Sequence, residues 1–131
     1  MEPNDKGKKK ILVVEDDKSV NAAMSAGLTN NGYLVTAKMN GAEGIEATNT
    51  NDFDVIILDL TMPKMDGLDV LKTLKANPKT KQIPVIIATN NTQTELVYEC
   101  IAAGARDYFI KSDITLIQLC AAIDKALASI E

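Results

Sequence analysis

The sequence predicts an α/β domain in which five strands alternate with five helices, as (βα)5, around a doubly wound parallel sheet. Short apolar runs recur at intervals of roughly twenty to thirty residues, and stretches with helical periodicity lie between them. The runs cover residues 11–14, 33–35, 55–58, 85–88 and 108–110. They are continuously apolar rather than alternating, which is typical of strands that are covered on both faces. Right-handed crossovers then place helices on both sides of the sheet.

The stretches between the runs carry apolar residues at three- and four-residue spacing, which favours amphipathic helices. The spacing predicts helices over residues 18–30, 66–76 and 115–130, with another around residues 93–103. Four pairs follow the pattern of an N-cap and a partner three residues later: Asn40 with Glu43, Asp66 with Asp69, Thr92 with Glu95 and Thr115 with Gln118. Side chains of this kind satisfy backbone N–H groups at a helix start.

Length and composition fit one ordinary globular domain: the chain has 131 residues, of which 24% are charged and 46% hydrophobic. The net charge of −4 argues against direct nucleic-acid binding, because a phosphate backbone favours a basic surface. No apolar run reaches the ~18 residues needed to span a bilayer, and the two cysteines lack the spacing of a disulfide scaffold. We therefore expect a flexible segment over residues 1–8, a folded domain over residues 9–131, no membrane partner and a cytoplasmic location.

Polar side chains follow four of the five predicted strands: Glu15, Asp16 and Asp17, then Asp59 and Thr61, then Thr89 and Asn90, and finally Lys111 and Ser112. In an open parallel sheet, ligands bind beyond the carboxyl ends of the strands, so a suitable strand order would bring these side chains together. Carboxylates a few ångströms apart repel one another and need a cation, and a few hard oxygen ligands suit Mg²⁺. A carboxylate can also attack phosphorus, while an ammonium group neutralises the transferred oxygens.

With these motifs in place, residues 9–130 resemble the receiver domains of bacterial two-component response regulators, of the kind found in chemotaxis. Glu15 and Asp16 are similar to the paired acids of that family. Residues 59–67, DLTMPKMDG, are similar to its phosphorylation loop. The resemblance implies a flavodoxin-like sheet with the strand order 2-1-3-4-5.

The resemblance also implies a role for individual residues. Asp59 is the implied phosphoacceptor, and the implied Mg²⁺ ligands are Glu15, Asp16, Asp59 and the backbone carbonyl of Thr61. Lys111 matches the phosphate-binding lysine and Thr89 the switch hydroxyl. Tyr108 matches the aromatic switch on the fifth strand.

The implied function is phosphorelay signal transduction. A partner histidine kinase or histidine phosphotransfer protein would phosphorylate the domain, which would then change a surface formed by helix four, strand five and helix five. Beyond its own phosphorylation and dephosphorylation the domain is not expected to be an enzyme. We expect a monomer or a weak, phosphorylation-dependent dimer, and the downstream effector is not implied. Because the chain contains no histidine, it cannot itself act as the phosphohistidine donor.

Ordinary structural roles remain open for several of these residues. Asp17 and Asp66 are expected to be helix caps only. Asp16 could be a helix-start acid, Thr89 a strand-end β-branched residue and Tyr108 a packing aromatic.

Two residues depart from the family pattern. Ser112 stands where a proline with a cis peptide bond is usual, and we expect Lys111–Ser112 to be trans because a non-proline cis bond costs ~2.5–4 kcal/mol. Asn90 stands where a small residue is usual, and a larger amide there could narrow access to the acceptor.

These departures keep open a binding module that works without phosphate. An enzyme on the same topology, such as a flavin or nucleotide binder or a phosphohydrolase, is a further alternative. The acids after the first strand would repel a ligand phosphate, and a hydrolase is expected to have an acid where Thr61 stands.

Overall fold

The structure, a computed structural model, describes residues 7–62 and 65–128 and has the predicted fold. Its strands are β1 (Lys10–Val14), β2 (Leu34–Lys38), β3 (Val55–Leu58), β4 (Val85–Thr89) and β5 (Asp107–Ile110). Its helices are α1 (Lys18–Asn30), α2 (Gly41–Thr50), α3 (Gly67–Ala76), α4 (Thr94–Ala102) and α5 (Leu116–Ala128). All neighbouring strands are parallel, in the order β2-β1-β3-β4-β5, so the predicted doubly wound sheet is confirmed.

Three predicted segments fall partly outside the described residues. Residues 1–6 of the expected flexible segment, residues 63–64 of the phosphorylation-loop motif and residues 129–130 of the last predicted helix lie there.

The core lies on both faces of the three central strands, β1, β3 and β4. Alternate residues point to opposite faces, so Ile11 packs with α1 and α5 while Leu12 packs with α3. Leu28 and Ile123 cover the first face, and Leu71 covers the second. Each fully buried side chain of this size contributes roughly 1.5–3 kcal/mol relative to an exposed one. These strands are therefore the rigid support of the site.

The two edge strands are less completely buried than the three central strands. The residues of β5 are all half-buried, and those of β2 are half-buried or exposed. An edge strand has a neighbour on one side only, which leaves part of its surface open to solvent. In addition, β2 continues to Lys38, three residues beyond the predicted apolar run, because pairing with β1 extends along its polar end.

The predicted helix starts are confirmed at three of four positions. Side-chain oxygens accept a backbone N–H three residues later at Asn40 (2.9 Å), Asp66 (3.0 Å) and Thr115 (3.1 Å). Thr92 is not a cap, since α4 begins at Thr94 and its N-cap position, Gln93, makes no side-chain cap bond. The reason is a local turn in which Asn91 Oδ1 accepts the N–H of Gln93 at 3.0 Å, carrying the chain past Thr92.

The strand order brings four carboxyl ends to one edge of the sheet. Val14 of β1 pairs with Leu58 of β3, and Leu58 pairs with Ile87 of β4. On the far side, Thr89 of β4 pairs with Ile110 of β5. The residues that follow these strands therefore meet at this edge.

Gly67, the first residue of α3, lets the helix approach the backbone that carries Asp59. Its N–H donates to the carbonyl of Leu60 at 2.9 Å. A Cβ at Gly67 would overlap the carbonyl oxygen of Asp59 and lie 2.5 Å from the Cα of Leu60. Both neighbours are backbone atoms, which cannot move without displacing the end of β3.

We therefore expect Gly67→Ala to lower the free energy of unfolding by at least ~2 kcal/mol, despite the better helix propensity of alanine. Gly27→Ala in α1 is the matched control. Its Cβ would meet only the end of the Leu116 side chain, at 2.8 Å, and that flexible group can move. Urea denaturation of both variants measures the difference, and equal stabilities would contradict the packing argument.

Candidate functional site

Three carboxylates meet at the carboxyl edge of the sheet: those of Glu15, Asp16 and Asp59. One carboxylate oxygen from each lies within 4.8 Å of the other two. Glu15 and Asp59 are buried, with 2% and 4% of their surface exposed, and Asp16 is half-buried. Burial of two acids in one cluster is unfavourable unless a positive charge lies beside them.

Backbone hydrogen bonds hold these acids at the ends of the central strands. The N–H of Asp59 donates to the carbonyl of Val14 at 3.0 Å, continuing the pairing of β3 with β1. The N–H of Glu15 donates to the carbonyl of Lys38 at 3.1 Å, continuing the pairing of β1 with β2. The side chain of Glu15 also accepts the N–H of Asp17 at 3.0 Å.

Lys111 supplies a positive charge from the end of β5. Its Nζ lies 2.7 Å from Oε1 of Glu15 and 3.5 Å from Oδ2 of Asp59. The N–H of Lys111 donates to the carbonyl of Thr89 at 2.9 Å, which fixes the base of the side chain against β4. The structure thus brings together the sequence-predicted residues of strands one, three and five.

Burial and neighbouring charges shift the pKa values of Glu15 and Lys111. Burial raises the pKa of Glu15, and this effect outweighs the hydrogen bond from Lys111 that lowers it. Burial lowers the pKa of Lys111, but the hydrogen bond to Glu15 and the charge of Asp59 outweigh it, so the net shift is upward. Both groups therefore favour their protonated forms, Glu15 because it is buried and Lys111 because acids lie beside it.

A cleft of about 480 Å³ opens over the cluster. Its described lining consists of Glu15, Asp16, Asp17, Asp59, Thr61, Thr89, Asn90, Asn91 and Lys111. Lys111 is the single cationic side chain in that lining, against four acids. The cluster offers only carboxylate oxygens, the ligands of hard cations such as Mg²⁺, and the cleft leaves room for water and a phosphoryl group.

Thr89 and Tyr108 are linked through the loop after β4. Thr89 is fully buried at the end of β4, and its Oγ1 accepts the N–H of Asn91 at 3.4 Å. The hydroxyl of Tyr108, a half-buried residue of β5, donates to the carbonyl of Asn91 at 2.6 Å. Thr89 thus lines the cleft itself, whereas Tyr108 reaches it only through Asn91.

Thr61 lies at the rim of the cleft, two residues after Asp59. It is exposed, and its N–H donates to Oδ1 of Asp59 at 3.4 Å. Because of this hydrogen bond, the backbone turns around the carboxylate of Asp59.

The two residues that depart from the family pattern contact each other. The N–H of Ser112 donates to Oδ1 of Asn90 at 3.0 Å. The described residues contain no cis peptide bond, so the expectation of a trans bond between Lys111 and Ser112 is confirmed.

Asn21 is a buried residue of this region that our sequence analysis did not single out. Its amide donates to the carbonyls of Glu15 at 2.9 Å and Lys38 at 3.0 Å, which ties α1 to the ends of β1 and β2. A signal was present: Asn21 precedes Met24 by three residues and Leu28 by seven, so it lies on the apolar face of α1.

Comparison with known proteins agrees with this geometry. The family described as "Response regulator receiver domain" matches residues 11–124. The chain belongs to this family. Membership favours a receiver domain over the flavin-binding, nucleotide-binding and phosphohydrolase alternatives.

The receiver domain is similar to parts of longer curated proteins. It is 39% identical over 119 residues to the transcriptional regulatory protein ZraR of Escherichia coli, covering 90% of this chain and 26% of that protein. It is 34% identical over 102 residues to the transcriptional regulatory protein QseB of Haemophilus influenzae, covering 78% of this chain and 45% of that protein. The chain therefore spans less than half the length of these relatives.

Solved structures of receiver domains superpose closely on the chain. The Francisella response regulator 1452 receiver domain has 30% sequence identity and a TM-score of 0.86, covering 95% of this chain and 100% of that one. The chemotaxis protein CheY4 of Vibrio cholerae has 29% identity and a TM-score of 0.86, covering 92% and 100%. No helix within residues 7–62 and 65–128 is both long and apolar enough to cross a membrane.

Proposed function

We propose that this receiver domain accepts a phosphoryl group on Asp59, in a Mg²⁺-dependent reaction, from a partner histidine kinase or histidine phosphotransfer protein. The observation that supports the proposal is the convergence of Glu15, Asp16 and Asp59 with Lys111 in one open cleft. Phosphoryl transfer needs a positioned nucleophile and positive charge around the transferred oxygens, and this cleft contains both.

Three residues of the cleft would have different roles in the phosphoryl transfer. A carboxylate oxygen of Asp59 attacks phosphorus, and the bond from phosphorus to the donor nitrogen breaks, so the imidazole leaves with that electron pair. Lys111, whose Nζ is already 3.5 Å from Oδ2 of Asp59, neutralises charge on the transferred oxygens. The Thr89 hydroxyl, which lines the same cleft, then donates a hydrogen bond to a phosphoryl oxygen.

Glu15, Asp16, Asp59 and the backbone carbonyl of Thr61 would hold Mg²⁺. When bound, the cation supplies positive charge that neutralises the acids and the phosphoryl oxygens. The charges of the cleft support this assignment, because its described lining has four acids and one ammonium group.

Phosphorylation is expected to change the surface formed by α4, β5 and α5. A phosphoryl group on Asp59 would draw the Thr89 hydroxyl away from the N–H of Asn91, which loosens the loop that also holds Tyr108. The space vacated by Thr89 would then be filled by the Tyr108 ring. The proposed partners are the phosphodonor on one side and an effector protein or domain that reads this surface on the other.

The first experiment is intact-mass analysis after incubation with acetyl phosphate and Mg²⁺. We expect the mass of the wild type to increase by one phosphoryl group and that of Asp59→Asn to stay unchanged, because the amide is not a nucleophile. Asp66→Asn is the matched control, since Asp66 lies in the following loop and asparagine still caps α3. The same adduct on Asp59→Asn as on the wild type would contradict Asp59 as the acceptor.

Metal binding is measured by thermal melting with and without Mg²⁺. We expect Mg²⁺ to raise the melting temperature of the wild type, since a ligand that binds only the folded state stabilises it. Asp16→Asn should abolish the rise, whereas Asp17→Asn should keep it because Asp17 serves as the N-cap of α1. A rise that survives in Asp16→Asn would argue against this ligand set.

The Mg²⁺-induced rise should also depend on pH. The folded pKa of Glu15 is raised, so in metal-free protein its contribution to stability is present at low pH and is lost as pH rises through that pKa. Above that pKa Mg²⁺ offsets the loss, and below it protons compete with the metal. The rise in melting temperature should therefore shrink as pH falls. A pH-independent rise would indicate a site that does not include Glu15.

Switching is measured by NMR of the tyrosine rings with and without beryllofluoride, an analogue of the phosphoryl group. We expect the Tyr108 signals to move with a change of rotamer. Tyr33 is the internal control, because its hydroxyl is held by Oδ1 of Asp124 at 2.6 Å, away from the cleft. One unchanged Tyr108 rotamer in both states would refute the coupling between Thr89 and Tyr108.

A further inference from the structure

The contact between Asn90 and Ser112 joins two loops at the rim of the cleft. Asn90 begins the loop after β4, and Ser112 lies in the turn after β5. They are 22 residues apart in sequence, and the hydrogen bond from the Ser112 N–H to Oδ1 of Asn90 is 3.0 Å long. Both residues are exposed, and this is the hydrogen bond that is described for the Asn90 side chain.

This hydrogen bond needs both residues at once. Proline at position 112 would have no N–H to donate, and alanine or glycine at position 90 would have no side-chain acceptor. The serine hydroxyl takes no part in the bond, because the donor is the backbone N–H. The two departures from the family pattern therefore act as one pair rather than as two separate changes.

The pair fixes the backbone on both sides of Lys111. The N–H of Lys111 donates to the carbonyl of Thr89 at 2.9 Å, and the next N–H, that of Ser112, donates to Asn90. Both peptide groups are thus tied to the end of β4. Lys111 has a long side chain with many rotamers, so fixing its base lowers the entropy lost when Nζ is held beside Asp59.

We propose that Asn90 is a positioning residue for phosphoryl transfer and that it acts on Lys111 through the Ser112 N–H. The inference rests on the proposed function of Asp59. Loss of one hydrogen bond of this kind should slow phosphoryl loading about two- to tenfold. The sign of the change in loading rate separates this role from a steric one. If Asn90 acted only by its bulk at the cleft, a smaller residue would widen access to Asp59 and speed loading.

The test compares Asn90→Ala in three backgrounds, by the rate of loading from acetyl phosphate in the presence of Mg²⁺. Asn90→Ala should slow loading about two- to tenfold in the wild-type background. It should have the same effect in the Ser112→Ala background, because alanine keeps the backbone N–H. With Ser112→Pro the donor is gone, so Asn90→Ala should have no further effect. Ser112→Ala alone should load like the wild type. An equal effect in all three backgrounds, or faster loading, would overturn the inference.

Two further measurements distinguish a positioning role of Asn90 from a general loss of structure. A Mg²⁺-induced rise in melting temperature should persist in Asn90→Ala, because neither Asn90 nor Lys111 is a proposed metal ligand. Hydrogen exchange at the Ser112 amide should be faster in Asn90→Ala, a measurement that does not need the proline variant. Unchanged exchange would show that the bond does not hold the turn.

The outcomes also distinguish this inference from the function on which it rests. Wild type that takes up no phosphoryl group would refute the proposed function, and the positioning role with it. Wild type that loads on Asp59, together with variants that load at the same rate, would refute only the role of Asn90.

Discussion

Electrostatic repulsion among three acids is the constraint on which the rest of the site depends. Glu15, Asp16 and Asp59 form three repulsive pairs, while Lys111 contacts only two of these acids. At about 4 Å and an effective dielectric constant of about 20, each pair of unit charges interacts with an energy on the order of 4 kcal/mol. When all four groups are ionised, the three acids and Lys111 keep a net charge of −2, and the repulsion among the acids is a cost to folding. The fold withstands this cost because the acids follow strands whose apolar residues are almost completely buried.

The same imbalance relates the geometry to the chemistry. A cluster that lacks positive charge binds a hard divalent cation well, and it also tolerates a phosphoryl group once that cation is present. Lys111 alone can neutralise one unit of charge. The arrangement therefore suits the proposed uptake of metal and phosphoryl group together better than a fully neutralised ion pair would.

The sequence was sufficient for the central strands and the acids, because continuous apolar runs and the residues that end them are local signals. The sequence did not predict the extent of β2 or the start of α4, and both failures have physical reasons. The extent of β2 depends on pairing with β1, and the turn that displaces the start of α4 past Thr92 depends on the Asn91 side chain. Asn21 carried a periodic signal, whereas the bond between Asn90 and Ser112 depends on how two loops meet in space.

The half-buried edge strand divides the site into two mechanically different parts. Glu15 and Asp59 follow β1 and β3, which have hydrogen-bonded neighbours on both sides, while Tyr108 and Lys111 belong to β5 and the turn after it, which pair with β4 alone. A strand with one neighbour opens at lower free energy than one with two. The acids therefore lie in the more rigid part of the site. The ammonium group of Lys111 and the ring of Tyr108 lie in the part that opens more easily. Local opening should therefore cost less free energy at the end of β5 than at the ends of β1 and β3.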